Sequence, residues 1–357
     1  MKVIPYIEVI SISSAGFVPI QIVEPKECWF ELGYTNVGAF EIYAPATRRN
    51  LECLRKGNFV KIPNFRYAWV ITSIQYTFTA GGTRMISAKG YEAIWVLKKS
   101  VIEKNTYLYN TVDHAFTMLI YKWFKPYYLN GYGYETNENT TSLNLTNVAI
   151  ATRSNLLEFV HNFAKIYNCN IYSTYADNLI RFGIRQGEDK SSSIRFSQSN
   201  DNLLSFNYLS DDDKKANTVY VVAKVNDIEY STSYSTLPNN AGKITVIKES
   251  SLSNKYEDEN GNEIELNLTN ESDKAAYLDL LKEEGKLELV NHTTLTEISS
   301  TIDLKNSKYV FDTDYKVGDI VEVKDEFFNI STKQRIIKYT IRLESNGIVS
   351  EALEFGE

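Results

Sequence analysis

Apolar and polar residues alternate along much of the chain, and β-branched and aromatic residues take many of the apolar places, which is the pattern of half-buried strands. Residues 1 to about 102 show it in "CWFELGY", "AFEIYAP", "NFVKIP", "AWVITSIQYTFT" and "RMISAKGY", with no helical period of useful length between them. The start, "MKVIPYIEVISI", also reads as a strand. Pro5 and Glu8 interrupt its apolar run and no small-residue cleavage site follows, so it is not taken for a signal peptide. From Thr111 the period changes: Val112, Phe116, Leu119, Ile120, Trp123 and Phe124 fall at helical spacing until Pro126 blocks continuation. The stretch from Tyr127 to Asn147 is rich in Tyr, Asn, Gly and Thr and reads as a long surface loop. A second helix is expected from Ser154 or Asn155, either of which can cap it, with Glu158 in its first turn and an apolar stripe of Leu156, Leu157, Phe159, Val160, Phe163, Ala164 and Tyr167. "NIYSTY" and "LIRFGI", joined by "ADN", predict a hairpin.

Further on, "NLLSFNYLSDDDKKANTVYVVAK" predicts two strands separated by a polar loop. Asn260-Gly261 predicts a two-residue hairpin turn, because both positions tolerate positive φ. A helix is expected from about Asn270 to Glu284, capped by Asn or Ser and stopped by Gly285.

The strand pattern repeats. "IQYTF" at 74–78 returns as "IKYTI" at 337–341, preceded by "GNFVKI" (Gly57 to Ile62) and "GDIVEV" (Gly318 to Val323) respectively. Each copy then runs through a Gly-containing turn and a strand-like run to a closing Gly, Gly90 or Gly356. Such turns use glycine because positive φ carries no steric penalty there. The repeat implies one small antiparallel β unit made twice, with Ile74, Tyr76 and Phe78 in the places of Ile337, Tyr339 and Ile341, each trio on one face of its strand. Unrelated β-meanders converging on similar patterns are the competing explanation.

Length fits two or three domains: 357 residues exceed the usual size of one. The division expected is 1–102, a β domain; 103–200, an α+β domain with two helices and a hairpin; and 201–357, a second β domain with a helical insertion near 270–285. The fold class is α+β, dominated by β structure. The excess of Tyr, 25 against 17 Phe and 4 Trp, suits aromatics placed on pleated surfaces. No run of eighteen or more apolar residues is present, which argues against a membrane-spanning helix and against stable membrane insertion. The net charge of −7 makes nonspecific nucleic-acid binding by the whole surface an unfavourable reading, while leaving room for DNA to pass without sticking. Cys28, Cys53 and Cys169 are odd in number and lack metal-like spacing, so they read as small buried hydrophobes in a chain made in a reducing compartment.

The search for chemistry returns no catalytic, cofactor-binding or metal site. Only three histidines are available, His114, His161 and His292, and none stands near a Cys or a carboxylate pair at ligand spacing, so structural or surface roles are expected. Asp211-Asp212-Asp213 precedes Lys214 and Lys215, its own counter-charges, and reads as a solvated loop. "YEDENGNEIELN" places Gly261 where a calcium loop has its glycine, yet Tyr256 and Asn267 stand where Asp and Glu are needed. "AGGT" meets neither phosphate-loop spacing, and no G-x-S-x-G is present. The Asn-x-Ser/Thr triplets at Asn144 and Asn329 are composition alone for a chain that is not exported.

Taken together, "GAFEIYAP", "LRKGNFVKI", "WVITSIQYTF", "RMISAKGYEAIWVLKKSVI", "KKANTVYVV" and "DYKVGDIVEV…QRIIKYTI…EALEFG" resemble the bacteriophage tail-tip and baseplate hub proteins, a family that includes the N-terminal hub part of tail-associated lysins. The resemblance covers nearly the whole chain. It implies a non-enzymatic structural virion protein, made in the host bacterial cytoplasm and placed at the distal end of the tail. It further implies a homotrimer in which two tail-tube-like β domains per chain make a six-fold-like ring. Such a ring would adapt the hexameric tail tube to a three-fold tip and form part of the DNA channel. The implied partners are the distal tail protein or tail tube, the tape measure and tip spike or fibre proteins. The bore is expected to expose Asp, Glu, Asn, Ser and Thr more than Lys and Arg. Larger lysins of the family carry a peptidase or glycosidase domain after the hub, and none is seen here, so cell-wall cleavage is expected of another polypeptide. Two further readings stay open: a tail-borne carbohydrate-binding protein, suggested by the aromatic loop "YKWFKPYYLNGYGYET", and a cell-wall hydrolase with an unrecognised carboxylate pair.

Overall fold

The computed structural model of the chain describes residues 6–356 apart from positions 35, 79–80, 125–130, 136–139, 141, 146–148, 152, 201, 238–241, 258–260, 293–294, 303–306, 328 and 345–346. Among the described residues one sheet of thirteen strands dominates. Its members are β1 (Ile7–Ser13), β2 (Gly16–Val23), β3 (Glu27–Gly33), β4 (Ala39–Pro45), β5 (Phe59–Lys61), β6 (Trp69–Phe78), β7 (Arg84–Glu92), β8 (Arg195–Ser197), β9 (Leu203–Asp211), β10 (Leu295–Ile302), β11 (Ile320–Asp325), β12 (Ile330–Leu343) and β13 (Val349–Gly356). The strand order is β9-β10-β13-β12-β3-β4-β7-β6-β5-β1-β2, with β11 beside β12 and β8 beside β11.

The internal repeat is present in the ladder. The first unit runs β3-β4-β7-β6-β5 and the second β9-β10-β13-β12-β11, the same order in space and in chain direction. Each long strand, β6 and β12, carries a bulge, after Ile71 and after Ile336. Matching hydrogen bonds stand just before it: Gly57 N and Gly318 N donate to the carbonyls of Ile71 and Ile336, both at 2.8 Å, and both glycines take positive φ. Beyond the bulge, Ala88 of β7 lies between Ile42 and Ile74, whereas Leu353 of β13 lies between Ser300 and Tyr339.

Thus Ile74, Tyr76 and Phe78 correspond to Tyr339, Ile341 and Leu343, two residues on from the alignment expected from the pentapeptides. A bulge adds one residue that has no ladder partner. Ile337 is that residue in β12, Thr72 is its counterpart in β6, and residue-type similarity read across the bulge slipped by one pleat. The shared core face survives, because a two-residue slip keeps side-chain parity.

The sheet's principal core joins Phe30, Phe40, Ile42, Ile86, Tyr339, Ile341, Leu353 and Phe355 to covering residues such as Tyr67, Phe196, Phe311 and Tyr315. Phe311 and Tyr339 stack with ring centroids 3.7 Å apart. A second core lies under β1, β2, β5 and the start of β6. It holds a 3-10 helix (Ala93–Lys99), α2 (Val112–Leu119), α3 (Leu156–Ile166) and an antiparallel hairpin of Cys169–Ala176 and Leu179–Gln186. The hairpin turns on Asp177 and Asn178, both at positive φ. The expected helices form: Thr111 Oγ1 caps the first by accepting from His114 N, and Asn155, one of the two caps expected for the second, accepts at Oδ1 from Leu157 N and Glu158 N. Helix α1 (Arg48–Cys53), capped by Thr47, is an addition to the expected all-strand reading of that segment.

A third core packs α4 (Glu271–Leu289) against a three-stranded sheet of Thr218–Val225, Ile228–Ser235 and Thr245–Ser250. Asn270 caps α4. Gly285 does not end it, and the helix continues to Leu289. The missing side chain has a different use, since a Cβ there would come within 2.8–2.9 Å of Val221 and Val219. Lys255–Glu257 and Glu263–Glu265 form the expected antiparallel hairpin, but Glu257 opposes Glu263, so residues 258–262 connect the strands and not Asn260-Gly261 alone; positions 258–260 lie outside the described residues, and Gly261 has positive φ.

Glu92 closes β7 from within. Its Oε1 accepts from Gly33 N at 2.7 Å, and a Cβ on Gly38 would meet the same atom, so the β3–β4 turn folds directly onto the carboxyl. Burial pushes its pKa up from 4.5 to about 8, against the lowering effect of the Gly33 and Gly38 amides. Between those values the unfolded chain has released a proton that the folded chain keeps, so stability falls as pH rises from about 4.5 towards 8. In Glu92→Gln this slope should disappear, as read from urea midpoints across that range. A slope unchanged from the parent would show that another group causes it.

Candidate assembly surfaces

Strand β12 is long enough to serve two partners. Its first part, Ile330–Arg335, pairs with β11, and past the bulge Lys338–Leu343 pairs with β3 of the other unit. This edge-to-edge joint makes one sheet of the two units, and Tyr34 N extends it by donating to the Ile337 carbonyl at 2.8 Å. Under the joint Tyr339, Ile341 and Leu343 are buried, at 1%, 1% and 9% exposure.

The corresponding part of β6 has no such partner. Strand β5 pairs with it only at Trp69 and Val70, so the outer edge from Thr72 to Phe78 is unpaired among the described residues. Ile74 is half-buried, and Tyr76 and Phe78 are 65% and 67% exposed. Fully burying a side chain of this size contributes roughly 1.5–3 kcal/mol, so the free chain leaves a comparable amount unrealised at each of these two rings. At the opposite end of the sheet β9, the counterpart of β3, has β10 as its one strand neighbour among the described residues.

The face of the units opposite the principal core is mostly polar, with Trp29 and Tyr43 half-buried and Met85 buried among its polar residues. From β6 across the joint towards β9 it presents Ser73, Gln75 and Thr77, then Ser87 and Lys89, Glu41, Glu31, Lys338, Thr340 and Arg342, Ser350 and Glu354, and finally Ser205 and Asn207. Acidic and basic residues are balanced here. Lys89 lies 3.2 Å from Glu41, and Lys338 lies 2.8 Å from Glu354. Ser87 Oγ donates to Glu41 at 2.7 Å.

The comparisons with known proteins fit this geometry. Residues 130–357, well over half of the chain, match the family model described as Siphovirus ReqiPepy6 Gp37-like protein. The chain belongs to that family. It is a phage tail protein, which places it in the virion tail. Three solved structures share the fold over nearly their whole length. A tail protein from Neisseria meningitidis MC58 aligns at 13% identity and a TM-score of 0.55, covering 98% of this chain and 96% of that one. The 43 kDa tail protein of prophage MuSo2 from Shewanella oneidensis aligns at 12% identity and a TM-score of 0.55, covering 98% of both chains. Prophage tail protein gp18 from Listeria monocytogenes EGD-e aligns at 13% identity and a TM-score of 0.50, covering 99% and 94%. No curated protein matches the sequence.

In this tail protein the titratable residues singled out from the sequence are dispersed. His114 stands on α2 with its ring 5.1 Å from that of Tyr109. His161 stands on α3, where burial first and Lys165 second pull its pKa down from 6.5 to about 4. His292 follows α4, Nδ1 3.2 Å from the Lys214 carbonyl and Nε2 3.5 Å from Glu288. Cys28, Cys53 and Cys169 are free and buried, and burial pushes the thiols of Cys28 and Cys169 up to about 12. Lys215 pairs with Asp212 at 3.2 Å, the expected counter-charge in that acidic run. No group of three metal-ligating side chains forms among the described residues, and no described helix is long and apolar enough to cross a membrane.

Among the described rings of the aromatic loop, Tyr121 is 61% exposed, while others are packed. Phe124 is buried, and Tyr132 packs edge-to-face on Phe17 and Phe124 and stacks on Phe182, while positions 125–130 and 136 lie outside the described residues. Replacing each histidine by Gln should leave chains that fold and enter normal tails. Particle counts by electron microscopy beside infectivity check this, and normal particles without infectivity would restore an active-site reading.

Proposed function

We propose that this tail protein is the hub at the distal end of the tail. Three chains, each with two tube-like β units drawn from 1–102 and 201–357, close a ring of six units, and the α+β part at 103–200 lies beside them. The ring joins a six-fold tube above to a three-fold spike or fibre below, and its partners are the distal tail or tube protein, the tape measure and the tip proteins. The role is structural and calls on no catalytic residue or cofactor. One observation carries the reading: two units of identical strand order are joined edge to edge within the chain, and among the described residues the two edges that would continue the joint have no strand beside them. Heterologous contacts of this kind close when the rotation between units allows it.

The polar face then lines the channel. A duplex moving along it meets hydroxyls, amides and neutralised lysines, not a cationic track that would hold phosphates. Electron microscopy of particles labelled with an antibody to this chain tests the position. Label confined to the distal tip supports the hub, and label along the shaft or at the head contradicts it.

A further inference from the structure

The internal joint is a template for the contact between chains. Lys338–Leu343 of β12 take β3 in antiparallel register, Leu343 opposite Cys28 and Ile341 opposite Phe30. In the second unit Phe206 of β9 stands where Cys28 stands in the first: Cys28 faces Ile42 of β4, Phe206 faces Ser300 of β10, and Ile42 and Ser300 face Ala88 and Leu353, the equivalent positions already fixed in β7 and β13. In the same frame Phe78 of β6 stands where Leu343 stands in β12.

We infer that the free edge of β6 in one chain takes β9 of a second copy as an antiparallel neighbour, with Phe78 opposite Phe206, Thr77 opposite Asn207 and Tyr76 opposite Tyr208. This deepens the ring reading and rests on it: it names the strands and the register by which one chain meets the next.

Three observations independent of the transferred register support the pairing. The edge Thr72–Phe78, "TSIQYTF", contains no charged residue and no proline, and β9 contains no proline and one charged residue, Asp211 at its end; charges and prolines are the guards that keep exposed edges single. The terminal strand at the other end of the sheet, β2, has such a guard in Pro19, and its pairing with β1 carries a bulge. The β6 and β9 edges also each expose two large apolar side chains, Tyr76 and Phe78 on the first and Leu204 and Leu209, 66% and 45% exposed, on the second.

Cysteine pairs test the register, since directly opposed residues of antiparallel strands lie within disulfide reach. The native thiols are buried and give little background. Thr77→Cys with Asn207→Cys, both at exposed positions, and Phe78→Cys with Phe206→Cys should each give a covalent trimer on a non-reducing gel after mild oxidation, in the purified full chain and in assembled tails. The off-register pair Thr77→Cys with Phe206→Cys, and every single variant, should give none. A particle with the mass of three chains by light scattering that cross-links in neither in-register pair overturns this contact and leaves the ring reading standing. Chains that stay single in solution and uncross-linked in tails overturn both.

Discussion

Asp319→Ala should lower the unfolding free energy by about 3–5 kcal/mol, the range for breaking a buried ion pair from one side. The Asp319 side chain is fully buried and accepts from the Arg185 guanidinium, whose side chain is 7% exposed. It also accepts from Glu188 N and Lys316 N, both at 2.9 Å, and lies 3.5 Å from Lys190 Nζ. Arg185 ends the hairpin of the second core, and Asp319 stands just before β11, so the pair pins the middle of the chain to the second unit. Removing the carboxylate strands a guanidinium and two amides in a place water reaches poorly. The urea midpoint of the purified chain reads the effect. A loss of less than about 1 kcal/mol would assign the junction to apolar packing and not to this pair.

The second large effect is expected on DNA. Glu41→Lys together with Glu354→Lys turns both lysine–glutamate pairs of the face opposite the principal core into adjacent like charges, and in the proposed ring three copies of the chain would multiply the change around one bore. The unmodified protein should pass over immobilised DNA at physiological salt, whereas the double variant should be retained and then released as salt is raised, the dependence that phosphate contacts impose. Particles that carry it should eject DNA more slowly. Equal behaviour of variant and parent in both assays would show that this face does not line the channel.

The two units were legible in the sequence because their signals are local and redundant. Gly57 and Gly318 open equivalent turns, and alternation marks β6 and β12 as half-buried strands. Caps at Asn155 and Asn270 set the helix starts for the same reason, since a side-chain acceptor and the orphan amides it satisfies lie within three residues. Register was not legible. The bulge residues Thr72 and Ile337 do not announce themselves, and a slip of one pleat preserves every apolar match in the two pentapeptides.

Gly285 misled for a related reason. A glycine near the end of a helical pattern signals a stop unless another element needs its missing side chain, and here the Val219 and Val221 side chains do. The open edges were hidden most completely. Alternation puts Ile74, Tyr76 and Phe78 on the face that is core in their counterparts of β12, and Tyr76 and Phe78 are exposed in the single chain because, among the described residues, no strand stands beside them as β3 stands beside β12. The Arg185–Asp319 pair joins residues 134 apart, with no motif to connect them.

A reconstruction of the tail tip from electron micrographs, refined without imposed symmetry at the level of this chain, tests the ring most directly. The expected map holds three copies around the axis, six β units in a continuous closed sheet, and the Thr72–Phe78 strand covered by β9 of the adjacent copy. A ring of six copies, or three copies whose Thr72–Phe78 strands face solvent, would contradict it.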